Sequence, residues 1–372
     1  MEKIIEGERG VEEAMEVDDS TVMKGVRHLC ENVGITRVPS KYIFPVSDRP
    51  QIMSSAQKPK IKLPVIDIGE LLSEDRTRVL ETLDQACKEY GFFQVVNHGI
   101  DGVVIQRMID SGKQFFELPF EERSRYLTTD TSSPVRYGTS FSEINDEVFC
   151  WRDFLKLTCH SLDTILPLWP SAPIGFRDDA ILYSKKTRTL FLVLIAAVLE
   201  ALGVGAGNCE SSMKEFEEGS HLLVLNCYPA CPEPELTLGM PSHSDYGFLT
   251  LVLQDEVEGL QVLHAGDWIT ADPVPGSFVV NVGDHLEIYS NGRYQSVLHR
   301  VVANASESRM SVASLHSVAF DSMVSPAAGL VDDGDAGKRR LYKDTGFADF
   351  IAYLSTSVPK SKSFLESRRL TM

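Results

Sequence analysis

Short β-rich runs that follow one another closely in the second half of the chain place the strongest constraint on its fold. These runs lie at 221–228, 248–254, 259–264, 277–282, 294–303 and 309–318. Turn-forming residues separate them, as in Gly266-Asp267 and Asn291-Gly292. Many short strands at this spacing are typical of an all-β barrel or a double-sheet jelly roll.

The first half of the chain predicts helices mixed with single strands. The apolar residues between Arg76 and Tyr90 lie on one helical face, and Gly91 follows as a helix-ending residue. The other expected elements are strands at 63–68 and 92–96 and helices near 21–34, 101–116, 178–203 and 338–354. The predicted fold class is therefore α+β, with a mostly β core, an N-terminal helical region and a C-terminal helix.

Charge and apolar content narrow the range of partners. A net charge of −17 argues against nucleic acid and anionic membrane surfaces, because phosphate contacts need clustered cations. The longest apolar run, Leu190 to Leu199, is far shorter than the ~20 residues of a membrane span. The acidic N-terminus matches neither a signal peptide nor a transit peptide. Because the 7 cysteines lack zinc-type spacing, we expect reduced thiols in a cytoplasmic protein.

A His-x-Asp pair and a distant histidine are candidate metal ligands. His243 and Asp245 are two residues apart, so at a strand or its end both side chains point the same way. With His299 they form the two-imidazole, one-carboxylate set that binds non-haem Fe(II) and leaves coordination positions open for oxygen chemistry. The pair alone is a weak signal, because His-x-Asp more often makes a loop hydrogen bond. On composition alone, other histidines compete as ligands: His221, His264, His285 and His316.

Two further fragments of the β-rich half offer groups that bind a carboxylate. Arg309 and Ser311 face one side of a predicted strand, and a guanidinium beside a hydroxyl pairs well with a carboxylate. Upstream, Asn226 and Tyr228 provide an amide and a phenol before a Pro-rich turn. Alone, the first fragment is better explained by a surface arginine and a strand serine, and the second is equally consistent with a strand that ends in a Pro-rich turn.

Taken together and in this order, the fragments resemble the plant family of soluble 2-oxoglutarate- and Fe(II)-dependent dioxygenases, which share the fold of isopenicillin N synthase. The resemblance runs from about Val38 to Leu354. Its other segments are Leu63-Pro64-Val65-Ile66-Asp67, Gly91-Phe92-Phe93-Gln94-Val95-Val96-Asn97-His98-Gly99, Gly259-Leu260-Gln261-Val262, Asn281-Val282-Gly283-Asp284 and Ser290-Asn291-Gly292-Arg293-Tyr294. Ser244 and Cys227 depart from the usual Thr and Tyr of the family, and neither departure removes a ligand.

The resemblance implies a double-stranded β-helix, or jelly roll, with a defined set of site residues. The implied Fe(II) ligands are His243, Asp245 and His299. The implied 2-oxoglutarate residues are Arg309, Ser311 and Tyr228 at the distal carboxylate and Asn226 near the metal. The reaction would consume O2 and 2-oxoglutarate, with ascorbate as a stimulating reductant. It would release succinate and CO2 with a hydroxylated or desaturated product. His98 resembles a structural residue in this family.

The sequence predicts a division of the chain into four parts. Residues 1–20 are charge-dense and poor in aromatics, which predicts a disordered acidic leader. Residues 21–220 correspond to the helical and mixed region, and 221–325 to the catalytic jelly-roll core. Residues 326–372 form the C-terminal helix and tail. We expect these parts to form one cooperative unit and a monomer.

The sequence limits the class of substrate but does not identify the substrate. Ser47-Asp48-Arg49-Pro50 and the segment 151–156 resemble a branch with salicylate hydroxylases and flavone synthase I-type enzymes. We expect the pocket to be lined by Tyr137, Phe141, Leu315, Ser317 and Phe154. The aromatic rings among them can stack on a planar substrate. A small neutral aromatic, first a flavanone oxidised to a flavone or a 2-hydroxyflavanone, is therefore predicted. Salicylate is the alternative, followed by another hormone or an alkaloid. Arg152, Asp153 and Lys156 are expected to form a solvated strand edge.

Two hypotheses of other kinds stay open at this point. The first is that the site has lost its catalytic activity and the chain only binds small molecules. The intact candidate residues argue against this. The second is that the chain is an oxidase of the same fold that uses ascorbate and no 2-oxo acid. The presence of Arg309, Ser311 and Tyr228 together argues against this. Dependence of turnover on 2-oxoglutarate separates both from the predicted dioxygenase.

Overall fold

A computed structural model describes residues 17–50, 60–140, 146–204, 209–272, 274–332, 339–356 and 363–371. The strands of this part of the chain are β1 (Lys60–Ile61), β2 (Val65–Asp67), β3 (Phe92–Val96), β4 (Val135–Gly138), β5 (Asp153–Thr158), β6 (His221–Tyr228), β7 (Met240–His243), β8 (Leu249–Gln254), β9 (Leu260–His264), β10 (Asp267–Ala271), β11 (Phe278–Val282), β12 (His299–Val301), β13 (Arg309–His316), β14 (Met323–Val324) and β15 (Thr345–Gly346).

The α-helices of the described residues are α1 (Asp19–Val22), α2 (Val26–His28), α3 (Ile68–Leu71), α4 (Arg76–Glu89), α5 (Gly102–Glu117), α6 (Phe120–Arg123), α7 (Leu162–Ile165), α8 (Phe176–Leu202), α9 (Cys209–Glu217), α10 (Asp284–Tyr289), α11 (Phe347–Thr356) and α12 (Ser363–Arg368). A π-helical turn at Leu29–Val33 follows α2. Single 3-10 turns lie at Ser40–Tyr42, Ser124–Tyr126, Leu166–Leu168 and Ala328–Leu330.

Two sheets face each other and enclose the centre of the molecule. The larger has the strand order β2-β3-β11-β8-β13-β6-β5-β4, and the smaller has the order β1-β10-β9-β12-β7. Side chains from both sheets meet in one apolar cluster that includes Phe92 and Val279 of the larger sheet and Leu260 and Val262 of the smaller. This is the jelly roll expected from the family resemblance, and the α+β fold class is confirmed.

Alternation along β13 decides which side chains reach the interior of the jelly roll. Met310 and Val312 point to the outer face, where they join the main apolar core with α4, α5 and α8. Helix α5 approaches this face so closely that a side chain on Gly112 would collide with Met310. Because successive strand residues face opposite sides, Arg309 and Ser311 point into the space between the sheets.

A buried carboxylate ties the N-terminal segment to the larger sheet. Asp153, at the start of β5, is fully buried and accepts hydrogen bonds from the backbone amides of Val26 at 2.8 Å and Arg27 at 3.1 Å. The Tyr137 hydroxyl donates to it at 3.0 Å, and Arg123 Nη1 lies 3.7 Å away. Burial dominates the electrostatics here and raises the pKa of Asp153, against the lowering effect of Arg123 and these hydrogen bonds.

Most predicted elements are confirmed, with four corrections. The predicted strand at 294–303 is wrong except for β12, because the preceding residues turn around the buried Glu287, which accepts a hydrogen bond from Ser296 N at 2.7 Å. The C-terminal helix begins at Phe347 and not near 338, because 345–346 form β15 and Asp349 caps the turn by accepting from Gly346 N at 2.9 Å.

The other two corrections concern charged segments. The predicted leader falls mostly outside the described residues, but its end is ordered because α1 already begins at Asp19. The expected solvated edge at 152–156 is wrong. Arg152 and Asp153 are buried and Lys156 is half-buried, because β4 and β6 pair with β5 on its two sides.

We predict that Asp153→Ala lowers the free energy of unfolding by about 3–5 kcal/mol, because the buried Arg123 loses its carboxylate. Urea unfolding of the purified variant measures this loss. Asp75→Ala, at an exposed position without a side-chain cap hydrogen bond, is the matched control and should stay within about 0.5 kcal/mol. Equal stabilities of the two variants would contradict the role of Asp153.

Candidate active site

Pairing between two strands of the smaller sheet assembles the candidate metal ligands. His243 ends β7, His299 begins β12, and the two residues are cross-strand partners. Nε2 of each imidazole lies 3.8 Å from Oδ1 of Asp245. One ligand atom from each residue lies within 4.8 Å of the other two, and no other group in the described ranges meets this criterion.

Backbone and amide contacts orient these ligands. Nδ1 of His243 lies 2.8 Å from Pro241 O, and Nδ1 of His299 lies 3.2 Å from Val297 O. A carbonyl only accepts a hydrogen bond, so Nδ1 carries the proton in each ring and the Nε2 lone pair faces Asp245. Asn281 Nδ2 donates to Asp245 Oδ2 at 2.8 Å, which leaves Oδ1 directed at the imidazoles.

The electrostatics of the cluster favour the protonation states that a divalent cation needs. Burial, followed by the neighbouring His299, lowers the pKa of His243 to about 3. Burial opposes ionisation of Asp245, but the two imidazoles and the hydrogen bond from Asn281 outweigh it and lower the pKa of this carboxyl. A neutral imidazole and an ionised carboxylate are the forms that coordinate a metal. The donor set and its geometry therefore fit Fe(II).

The competing histidines have structural contacts instead. His221 and His316 stack at 4.1 Å between ring centroids, and His316 also stacks on Phe191 of α8 at 4.4 Å. His285 Nδ1 lies 2.8 Å from Ser317 Oγ. The ring of His264 lies parallel to that of Tyr90, with an interplanar angle of 6°.

His98 also has a structural position. Its Nε2 lies 2.9 Å from Gly276 O, and its Nδ1 accepts a hydrogen bond from Ile100 N at 3.1 Å. These contacts tie the loop after β3 to the turn before β11, as the structural interpretation of His98 predicts.

Arg309 is buried in the interior, and one of its N–H groups makes no hydrogen bond to the described residues. Its Nε donates to Val257 O at 3.1 Å and its Nη2 donates to Gln254 Oε1 at 2.8 Å. Its Nη1 is buried and has no hydrogen-bond partner among the described residues. A buried cation with an unsatisfied donor indicates a site for an anion. The cross-strand partner of Arg309 is Tyr228, whose ring centre lies 5.2 Å from the guanidinium.

Ser311 and Asn226 continue this interior face along the same two strands. They are cross-strand partners on β13 and β6, one alternation step from Arg309 and Tyr228. The sheet register therefore brings together all four predicted 2-oxoglutarate residues. Their chemistry, a guanidinium with hydroxyls and an amide, fits a dicarboxylic acid.

Two glycines leave space for the predicted 2-oxoglutarate clamp, which consists of Arg309, Ser311, Tyr228 and Asn226. A Cβ on Gly259 would lie 2.8 Å from Arg309 Cδ, and a Cβ on Gly239 would lie 2.6 Å from Tyr228 Cδ1. Any side chain at either position would displace the residue that it meets. Sequence reasoning included Gly259 only as part of a family segment and missed this role, because the close approach comes from the packing of the smaller sheet on the larger.

Arg152 is a site residue that sequence reasoning assigned to the surface. Its Nη1 donates to Asn226 Oδ1 at 3.1 Å and lies 3.8 Å from the sulfur of Met240, the first residue of the strand that ends in His243. Its positive charge also lowers the pKa of His243, although burial and His299 lower it more. Alternation with Phe154 could have signalled its inward direction.

The predicted pocket residues divide by sheet face. Phe154 pairs with Asn226 and therefore points into the interior, and the half-buried Leu315 alternates with Ser311 on the same face. Ser317 lies just beyond β13, hydrogen-bonded to His285. Phe141 lies outside the described residues. The substrate roles of these residues stay predictions.

Tyr137 needs a correction. It pairs with Leu155, which points to the outer face, and its buried hydroxyl contacts Asp153 and accepts from Arg123 Nη1 at 3.0 Å. Its ring packs near Phe115 of α5, at 6.2 Å between centroids. We therefore do not retain Tyr137 as a pocket residue, because alternation turns it toward the helices.

Comparison with known proteins agrees with this geometry. Residues 219–317 match the 2OG-Fe(II) oxygenase superfamily, and residues 63–172 match the family described as non-haem dioxygenase in morphine synthesis N-terminal. The chain is 36% identical over 333 residues to Protein DMR6-LIKE OXYGENASE 2 of Arabidopsis thaliana, covering 90% of this chain and 94% of that protein. The chain belongs to the 2-oxoglutarate- and Fe(II)-dependent oxygenases of plants.

Two further relatives of the oxygenase span most of its length. Flavanone 3-dioxygenase 2 of Oryza sativa is 41% identical over 309 residues, covering 82% of this chain and 87% of that one. The crystal structure of JOX2 in complex with 2OG, Fe, and JA superposes with a TM-score of 0.82 at 30% identity, covering 93% of this chain and 98% of the other.

The family membership defines the enzyme class and its small molecules. The oxygenase is a 2-oxoglutarate-dependent dioxygenase that uses Fe(II), 2-oxoglutarate and O2, as predicted from the sequence motifs. It acts on a small-molecule substrate. In the described residues, no helix has both the length and the apolar character needed to cross a membrane.

We predict that Gly259→Ala weakens 2-oxoglutarate binding by about tenfold or more, because the added methyl group moves Arg309. The KM for 2-oxoglutarate, measured from succinate release, reports the change. The control is Gly102→Ala, where a Cβ meets nothing within 4 Å. An unchanged KM in Gly259→Ala would show that Arg309 does not bind the co-substrate.

We also predict that acid destabilises the oxygenase through its buried histidines. Burial lowers the pKa values of His221 and His285 to about 3. The unfolded chain binds protons at these imidazoles below pH ~6.5 and the folded chain does not. Stability is therefore complete above this pH. It falls by roughly 1 kcal/mol per pH unit for each imidazole as the pH drops toward 3.

Urea unfolding between pH 7 and pH 5 tests this dependence. His221→Gln should reduce the slope of stability against pH, whereas His160→Gln, at an exposed position, should leave it unchanged. The same slope in the wild type and in His221→Gln would contradict the prediction.

Proposed function

We propose that the oxygenase oxidises a small aromatic plant metabolite, with a flavanone as the first candidate substrate. One observation carries the proposal. The interior face that holds the clamp for 2-oxoglutarate continues directly into an aromatic and aliphatic wall, because Phe154 pairs with Asn226 and Leu315 follows Ser311 on β13. A flat ring packs favourably on such a wall. The 41% identity to a rice flavanone 3-dioxygenase supports the choice of ring system.

The residues of the chain divide the work between binding and orientation. When bound, Fe(II) supplies the oxidative chemistry that couples decarboxylation of 2-oxoglutarate to oxidation of a substrate C–H bond. We assign the metal to His243, Asp245 and His299. Arg309 neutralises the distal carboxylate of the co-substrate, with hydroxyls from Ser311 and Tyr228 beside it. The apolar wall holds the substrate and excludes water.

In the proposed reaction the co-substrate and one O2 are consumed together. Hydroxylation places one oxygen atom in succinate and the other in the product, with release of CO2. Desaturation removes two hydrogen atoms from the substrate and yields water in place of the alcohol. Either outcome with a flavanone fits the proposal, because both take a hydrogen atom from the same ring.

A second candidate substrate is salicylate or a related aromatic acid. The observation that favours it is the burial of Arg152 and Arg136, whose guanidinium carbons lie 4.9 and 5.1 Å from the ring centre of Phe154. Guanidinium groups bind carboxylates.

The decisive assay combines purified protein, Fe(II), ascorbate, 2-oxoglutarate and naringenin, and measures succinate and product mass together. We expect succinate with a product that has lost two hydrogens or gained one oxygen. Omission of 2-oxoglutarate, or the substitution Arg309→Ala, should abolish turnover, whereas Arg125→Ala at an exposed position should not.

Other outcomes are equally informative. Succinate with unchanged naringenin, and conversion of salicylate instead, would replace the flavanone by the acid. Turnover with ascorbate in the absence of 2-oxoglutarate would contradict the assigned clamp. No succinate from iron-loaded protein with any aromatic compound would favour an inactive binding module. A cytoplasmic location and a monomeric state stay predictions.

A further inference from the structure

A buried serine donates hydrogen bonds to two buried carboxylates close to the metal ligands. The Oγ of Ser296 donates to Asp284 Oδ1 at 2.7 Å, and its backbone N donates to Glu287 Oε2 at 2.7 Å. All three residues are at most 2% exposed. Buried carboxylates need such partners, because burial without them is costly. These contacts therefore fix Ser296 against helix α10, which carries both carboxylates.

Asp284 also holds the residue that stands between two of the metal ligands. Its Oδ2 accepts a hydrogen bond from the Oγ of Ser244 at 3.2 Å, and its backbone N donates to Asp245 O at 2.7 Å. The start of α10 is packed so closely here that a Cβ on Gly283 would lie 2.1 Å from Gly247 O. Asp284 therefore restrains this ligand-bearing loop through both its side chain and its backbone.

Ser296 belongs to the segment that carries the third metal ligand. It lies three residues before His299, and the carbonyl of Val297 lies 3.2 Å from Nδ1 of His299. The hydrogen bond from Ser296 to Asp284 therefore joins the segment with His299 to the loop around Ser244. One carboxylate accepts from a serine of each ligand-bearing segment.

The backbone pairing between these two segments is irregular at this point. His299 pairs with His243 and Val301 pairs with Met240, with a register shift between the two pairs. A bulge of this kind disrupts the regular ladder of backbone hydrogen bonds. The side-chain link through Asp284 adds a restraint where the ladder is interrupted.

Glu287 anchors the other end of this network in the C-terminal part of the chain. Its Oε1 accepts hydrogen bonds from the Tyr342 hydroxyl at 2.7 Å and from Arg369 Nη2 at 3.4 Å. The Arg369 guanidinium also lies 5.6 Å from the ring centre of Tyr342. The carboxylate that holds the backbone of Ser296 is thus itself held by two side chains from distant segments.

We propose that Ser296 and Asp284 are positioning residues for the metal ion, because their hydrogen bond sets the relative position of the two segments that carry its ligands. This inference rests on the proposed function, which assigns the metal to His243, Asp245 and His299. It adds two residues that do not touch the ion. Contacts behind the ligands orient them, and their loss typically weakens metal binding.

Metal binding measured without turnover tests the proposal. The full chain is freed of metal with a chelator and titrated with Co(II) under anaerobic conditions, so that visible absorption reports both the Kd and the ligand geometry. We expect Ser296→Ala to weaken Co(II) binding by about tenfold to a hundredfold and to change the absorption spectrum. Asp284→Asn, which replaces one acceptor oxygen by an amide donor, should do the same. Ser296→Thr keeps the hydroxyl and should restore most of the affinity.

Two further variants separate positioning from a general loss of stability. Ser111 is also a buried serine that donates to a carboxylate, Asp179 Oδ2 at 2.5 Å. Ser111→Ala should lower stability and leave the Kd and spectrum of Co(II) unchanged. Ser244→Ala, at a half-buried position, should weaken Co(II) binding even if Ser296→Ala does not fold. Because both hydroxyls act through Asp284, the double variant should lose less affinity than the product of the single effects.

The outcomes distinguish this inference from the metal assignment. Wild-type Co(II) affinity and absorption in both Ser296→Ala and Ser244→Ala would overturn the positioning role. An equal loss of affinity in Ser111→Ala would overturn it as well, because any buried serine would then have the same effect. His299→Ala tests the assignment itself and should lose Co(II) binding. If His299→Ala binds Co(II) as tightly as the wild type, the proposed metal site fails.

Discussion

The antiparallel pairing of β12 with β7 is the contact on which the active site depends. It sets His299 opposite His243, and the chain turns just after β7 so that Asp245 faces both imidazoles. Neither strand belongs to the larger sheet, so the metal ligands are held by the smaller sheet while the co-substrate residues are held by the larger. The reacting partners meet because the two sheets pack face to face, and the apolar cluster between them fixes that packing.

The sequence predicted the parts of the site that follow from local alternation. The spacing of His243 and Asp245, and of Arg309 and Ser311, indicates which side chains share a direction without knowledge of the fold. The third ligand could not be derived in this way. His299 lies in a strand of three residues, within a stretch that looks like one long strand but mostly turns around buried polar groups. The resemblance to a family, and not the spacing, identified it.

The charged residues of β5 show why burial was harder to predict than secondary structure. Asp153 is buried because its partners, the amides of Val26 and Arg27, come from a segment 127 and 126 residues away. Arg152 is buried because it reaches Asn226, 74 residues away. Charged residues are usually exposed, and a local pattern contains no information about such distant partners. Tyr137 was predicted in the pocket because its ring can stack on a planar substrate, but its hydroxyl contacts the buried Asp153 instead.

An acidic protein that binds anionic molecules needs cations whose effect is local. Salt screens the charges at the surface over about 8 Å at physiological ionic strength. The net charge of −17 therefore repels an acid only weakly when the acid is farther than this from the surface charges. Arg309 lies 3% exposed and acts at hydrogen-bond distance, where a poorly hydrated environment strengthens the attraction. Arg309, whose buried Nη1 has no hydrogen-bond partner among the described residues, therefore provides a local site for an anion inside a protein with a negative net charge.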